Sequence, residues 1–76
     1  MTDPITRADL LRLAFEERRR SENYARELAL LVLAGSTERA VHGGTSEPRS
    51  SLCRRKAAQC LRRAERMERE ADEGSL

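Results

Sequence analysis

Tryptophan is absent from this chain of 76 residues, and Phe15 and Tyr24 are its only aromatic side chains. That is too little large apolar surface for a β-sandwich or a layered α/β core, which excludes both. Long hydrophobic runs are missing as well. The longest, LALLVLA at residues 28–34, has seven residues, where a bilayer-spanning helix needs about 20. Asp3 stands where a secretory leader would carry basic residues, and no apolar stretch follows it, so a cytoplasmic protein is expected. Lysine is nearly absent: of 15 basic side chains, Lys56 alone is not arginine. Codon usage in a GC-rich gene explains that bias blandly; bidentate recognition of carboxylate or phosphate explains it functionally.

The residues that carry catalysis or bind metals are also scarce. His42 is the single histidine, and Cys53 and Cys60 are the two cysteines. On one helix these cysteines lie about 10.5 Å apart along the axis, too far for a mutual disulfide. Their spacing is not that of a zinc site, so they read as small buried apolar groups. The pair Gly43-Gly44 lacks the lysine and hydroxyl residue of a phosphate loop. Ser50 and Ser51 read as helix caps. A protein without enzymatic activity, cofactor, metal or small-molecule substrate is expected.

What the chain does contain is alanine, leucine, glutamate and arginine, all good helix formers, with 37% of residues charged. Asp3 or Thr6 can cap a first helix, Pro4 suits its first turn, and Thr6 with Asp9 resembles a capping box. Leu10, Leu11, Ala14 and Phe15 form an apolar face. The following stretch EERRRSEN, residues 16–23, has no apolar side chain for two turns, which predicts a helix end near Ser21–Asn23. Tyr24, Leu28, Leu31 and Val32 recur at helical spacing in a second helix, drawn through Gly35 to about His42. GGTSEPRSS reads as a loop. A third helix follows, opened by Pro48 or capped by Ser50 or Ser51, closed by Gly74 and Ser75, and laced by the pairs Glu65–Arg69, Arg66–Glu70 and Arg69–Glu73. The expectation is an all-α, antiparallel three-helix bundle (up-down-up) in one domain, with helices at about 4–21, 23–42 and 48–73 and a loop at about 43–50.

The third helix carries the strongest pattern. Cys53, Ala57, Cys60, Ala64, Met67 and Ala71 follow one another in steps of 4, 3, 4, 3 and 4. Such alternation marks near-parallel, left-handed helix packing. Small side chains on the seam let a neighbouring helix approach closely. Any part of the face left open would be a shallow furrow with charged rims, suited to an amphipathic helix from a partner.

Within this helix KAAQCLRRAERM, Lys56 to Met67, resembles the last helix of MIT (microtubule-interacting and trafficking) domains. Lys56, Leu61, Arg63, Ala64 and Glu65 match that pattern in place, and Met67 stands for its final leucine. Cys60 replaces an aromatic residue and Ala57 a cysteine. Upstream, LRLAFEERRRSENYARELALL at residues 11–31 is similar to the family's passage from first to second helix, through Leu11, Glu17, Asn23, Tyr24, Leu28 and Leu30. The resemblance spans about residues 8–72. It implies a three-helix module that holds short helical or extended tails of ESCRT-III-type partners in endosomal trafficking or membrane remodelling. The implied groove lies between helices 2 and 3, with Leu61, Ala64, Glu65, Met67 and Glu68 on one side and Leu28, Leu31 and Val32 on the other. Ordinary core packing accounts for the same apolar residues, and a solvated helix face for Glu65 and Glu68.

Two other readings stand beside this one. Arg18–Arg20, Arg54–Lys56 and Arg62–Arg63 are basic clusters that would attract nucleic acid, although acidic residues flank them and no aromatic lies among them to stack on bases. Alternatively the chain is a helical adaptor or self-associating coiled coil unrelated to MIT domains.

Overall fold

The computed structural model describes residues 5–73. Helix α1 spans Arg7–Leu33, strands β1 and β2 span Arg39–His42 and Thr45–Pro48, and helix α2 spans Arg49–Glu73. The expected three-helix bundle is therefore corrected: the chain folds as two long helices joined by a β-hairpin. Arg7 reaches Asp72, Ser21 reaches Ala57 and Glu27 reaches Arg49, so the helices run antiparallel. The molecule measures 48 × 27 × 15 Å, and its thickness is that of a single layer of helices.

The start of α1 is the capping box expected of Thr6. The Asp9 amide donates to Thr6 Oγ1 at 3.1 Å, and the Thr6 amide to Asp9 Oδ2 at 3.5 Å. Asp3 and Pro4 lie outside the described residues. The two expected helices at 4–21 and 23–42 are one helix through residue 33. Nothing in EERRRSEN breaks a helix: the stretch has neither glycine nor proline. Its polarity is tolerated because only two of its side chains face inward, and each finds a polar partner. Ser21 Oγ donates to the Ala57 carbonyl of α2 at 2.8 Å, and Glu17 Oε1 accepts from Arg20 at 2.9 Å.

The first helix stops before Gly35 rather than running to His42. Gly35 adopts φ +62°, and the Ser36 amide donates to the Leu31 carbonyl while that of Gly35 donates to Val32. This is a Schellman cap, whose left-handed residue is glycine because it carries no Cβ. Beyond it, the expected loop at 43–50 is a turn and a strand. Gly43 and Gly44 have φ of +56° and +78°, as a two-residue hairpin turn demands. Ala40 pairs with Glu47 and Val41 with Ser46. Both strands are four residues long, too short to stand alone. Glu47 ties them to α2 through Arg55 at 2.6 Å.

Ser50 and Ser51 lie within the first turn of α2, which begins at Arg49, so neither caps it. Gly74 and Ser75 fall outside the described residues. None of the three expected intrahelical pairs of α2 forms among the described residues; in exposed arginines and glutamates such pairs gain too little to fix two flexible side chains.

The 4-3 seam of α2 is buried as its spacing requires. Cys53, Cys60, Ala64 and Ala71 are buried, and Ala57 and Met67 half-buried. A second 4-3 seam faces it from α1: Leu10, Ala14, Glu17, Ser21, Tyr24, Leu28 and Leu31, all buried or half-buried. The core is thin. Its buried apolar residues are Ala14, Cys53, Cys60, Ala64 and Ala71, each contributing on the order of 1 kcal/mol. Ala64, fully enclosed, is the tightest test of this contact. An aspartate there buries an unpaired charge, and about 3 kcal/mol or more of lost stability is expected. Circular dichroism should show Ala64→Asp without a cooperative thermal transition; a wild-type melting temperature would mean the seam is not what holds the helices together.

Candidate functional site

The antiparallel register decides which of the sequence-derived candidates can act together. Ser21 opposite Ala57 and Glu27 opposite Arg49 place Leu61 across from about Glu17. Leu28 lies eleven residues further along α1, roughly 16 Å away. The expected groove is therefore split. Leu28 and Leu31 are half-buried in the seam beside the start of α2, and Val32 is exposed at the end of α1. Leu61, Ala64, Glu65, Met67 and Glu68 lie across the other half of the hairpin. Of these, Ala64 and Met67 belong to the seam, whereas Leu61 and Glu65 are exposed and Glu68 half-buried. With only two helices, no groove between helices 2 and 3 exists.

A different surface takes shape on one flank of the pair. On α1 the residues just outside the seam are Leu11, Phe15, Arg18, Glu22, Ala25, Ala29 and Val32, again in steps of four and three. On α2 the matching flank carries Arg54, Ala58, Leu61, Glu65 and Glu68. These two rows adjoin, because Arg18 of one grips Glu68 of the other through two hydrogen bonds of 2.8 and 2.7 Å. Such a bidentate guanidinium–carboxylate pair fixes both planes. Beside it, between charged Glu22, Arg54 and Glu65, the flank shows open apolar side chains: Phe15 is 62% exposed, Leu11 38% and Leu61 37%, with Val32, 63% exposed, at the far end of the α1 row. Leu11 and Phe15, read from the sequence as one face with Leu10 and Ala14, turn out to point away from it. Carrying the 4-3 count of α2 back onto α1 would have separated them.

The opposite flank is polar. Arg20 reaches Glu17, and Arg49 Nε donates to Glu27 Oε1 at 2.7 Å. The β-hairpin covers part of the far side, where Ala40, Val41 and His42 line a cleft with Leu52, Arg55 and Lys56. It leaves the apolar flank uncovered. His42, with no catalytic neighbour, shares Glu47 with Arg55: its Nε2 is 2.8 Å from Glu47 Oε1.

The electrostatics follow from these pairs. Hydrogen bonding to Arg18 lowers the Glu68 pKa below the ordinary carboxylate value, the His42 contact does the same for Glu47, and the Arg49 contact for Glu27. Burial pushes both thiols up, with Glu27 beside Cys53 and Glu17 beside Cys60 adding to the effect. The cysteines are free, buried and held in the unreactive thiol form. Glu17 is the exception to good pairing, since its Oε2 is buried without a hydrogen-bond partner. Among the described residues, no group of three or more potential metal ligands occurs, and no helix is long and apolar enough to cross a membrane.

No protein-family model, curated protein or solved structure matches the chain.

The lowered carboxylates set an acid dependence. Their folded pKa values lie below the unfolded ones, so their stabilisation is complete above the unfolded carboxylate pKa, about 4.3. It is lost as pH falls through the folded values. The melting temperature should hold from pH 7 to about 5 and then drop. Glu68→Gln should melt lower at pH 7 and lose less than the wild type on acidification. An equal acid loss in both proteins would show that the Arg18–Glu68 pair contributes nothing.

Proposed function

We propose that this protein is a non-catalytic protein-interaction module whose working surface is the open apolar flank of its helical hairpin. The observation that carries this reading is the convergence of exposed Leu11, Phe15 and Leu61 around the Arg18–Glu68 clasp. Isolated surface leucines need no explanation, but an aromatic and two leucines on one helical flank, ringed by charge, form a surface that water solvates poorly. A flank built from two parallel rows of side chains fits an amphipathic helix laid along it, with apolar anchors at helical spacing. Arg54, Glu65 and Glu68 on the α2 row and Arg18 and Glu22 on the α1 row would choose its charge pattern and direction.

The test is a titration followed by amide NMR. The natural first ligand is a leucine- and arginine-bearing amphipathic peptide of the ESCRT-III tail type that the MIT resemblance suggests. Shifts should cluster at residues 11–18 and 58–68. Phe15→Glu should weaken binding at least tenfold, as loss of a central aromatic anchor does (roughly 1.4 kcal/mol or more), while circular dichroism shows the helical content retained. Shifts confined to the polar flank, or an unaffected Phe15→Glu, would refute this surface.

A second reading is favoured by the outer faces. Arg62, Arg63, Arg66 and Arg69 line a shallow concavity with Gln59 and Glu65. Among the described residues these four arginines have no ion pair. Unpaired guanidinium groups are what a phosphate backbone uses. If they do so here, duplex DNA should bind with an affinity that falls steeply between about 50 and 200 mM salt, and Arg62→Gln with Arg66→Gln should flatten that slope. Binding that ignores salt would exclude the phosphate reading.

A further inference from the structure

We infer that the partner seated on the apolar flank is a second copy of this chain, giving an antiparallel, two-fold symmetric assembly of four long helices. The inference rests on the reading of that flank as a helix-docking surface and names its occupant.

Area gives the first argument. The chain exposes 6002 Å², whereas a compact monomer of 8.6 kDa is expected to expose roughly 4,700 Å². The surplus is about 1,300 Å², and a stable complex buries about 800 Å² on each partner. The radius of gyration of 16.0 Å likewise exceeds the roughly 11 Å of a compact chain of this length. The elongated chain thus has a surplus of surface of the size that one interface removes, while its fully buried apolar residues are only alanines and cysteines and its larger seam residues stay half-buried.

Self-complementarity gives the second argument. A two-fold axis lying in the interface and perpendicular to the helices sets α1 antiparallel to its mate. Along the exposed row of α1, bulky Leu11 and Phe15 stand at one end and small Ala25 and Ala29 near the other, with Val32 last. The axis brings Leu11 onto the other copy's Val32, Phe15 onto its Ala29 and Arg18 onto its Ala25. The two largest side chains, Phe15 and Arg18, each meet an alanine, as interdigitating helices require, and Leu11 meets Val32 in an apolar contact. Glu22 falls at the axis against the other copy's Glu22, a like-charge contact that two exposed glutamate side chains relieve by extending into water. The same row in a parallel arrangement stacks Phe15 on Phe15 and Arg18 on Arg18. The β-hairpin lies over Leu52, Arg55 and Lys56, away from this flank, and does not obstruct it.

Sedimentation equilibrium on the full chain over a micromolar concentration range tests the assembly. The wild type should fit a monomer–dimer equilibrium with a dimer of twice the chain mass. Phe15→Ala should weaken dimerisation at least about tenfold through loss of its anchor. Ala29→Phe should weaken it similarly by setting two rings in one space. Both substitutions are at exposed positions, and circular dichroism verifies that the variants fold. The double variant Phe15→Ala with Ala29→Phe exchanges the large and small partners and should restore dimerisation to within about threefold of wild type. Additive losses in the double variant, or a dimer indifferent to either change, overturn the proposed pairing. A monomeric wild type overturns the second copy as occupant. In that case an amphipathic peptide whose binding still depends on Phe15 leaves the docking flank standing, whereas a peptide that ignores Phe15 removes the flank as well.

Discussion

Everything in this structure depends on how closely two helices can approach. At the middle of the α1–α2 contact Ala14, Ser21, Ala57, Cys60 and Ala64 are small, and the Ser21 hydroxyl reaches the Ala57 carbonyl of the opposite backbone directly. Leucines in those positions would hold the backbones apart and put Ser21 out of range. Close approach gives many dispersion contacts but removes little apolar area from water. The long paired helices are consequently well registered and weakly cored. The ion pairs Arg18–Glu68 and Glu27–Arg49, one on each flank, fix the alignment more than they stabilise it, since exposed pairs contribute little.

The thin seam has a functional consequence. A bundle that kept its larger apolar side chains for its own core would have no reason to show them on the outside. Here the middle of the seam is made of small residues, the larger Leu10, Tyr24, Leu28, Leu31 and Met67 are only half-buried in it, and Leu11, Phe15, Leu61 and Val32, with Leu30 and Leu33, are left on the surface. What would be core in a three-helix bundle becomes a face that another helix can cover. The β-hairpin does not serve as that third element. Its strands lean on the far side of α2, held by Glu47 between His42 and Arg55. It turns the chain through 180° and leaves the apolar flank free.

Much of this was legible in the residues. The Thr6–Asp9 box, the burial of both thiols and the seam from Cys53 to Ala71 all follow from spacing and side-chain size. The continuous first helix was not, because Glu17 and Ser21 look like surface residues until a partner on α2 is known. Ser21 is satisfied by Ala57, 36 positions later, a relation that no local window contains. The hairpin was obscured for a similar reason. TSEP has little strand preference, and it is ordered by the glycine turn and by the grip of Glu47 on Arg55. The candidate groove failed at the same point: Leu28 and Leu61 share a surface only if a third helix folds back, and the chain spends those residues on extending the first.

Helical character on either side of residues 34–48 and a small-residue seam could be read from the residues alone, because helix propensity and 4-3 spacing are local properties; the all-α fold could not, since two strands join the helices. The sequence also determined that catalysis and metal binding have few residues to work with. That there are two helices and a β-hairpin rather than three helices, and which apolar residues remain outside, follows from packing. Those outcomes turn on contacts between α1 and α2 at large sequence separation. Whether a polar residue such as Ser21 ends a helix or rides through its interface is settled by the group it meets on the facing helix, here the Ala57 carbonyl.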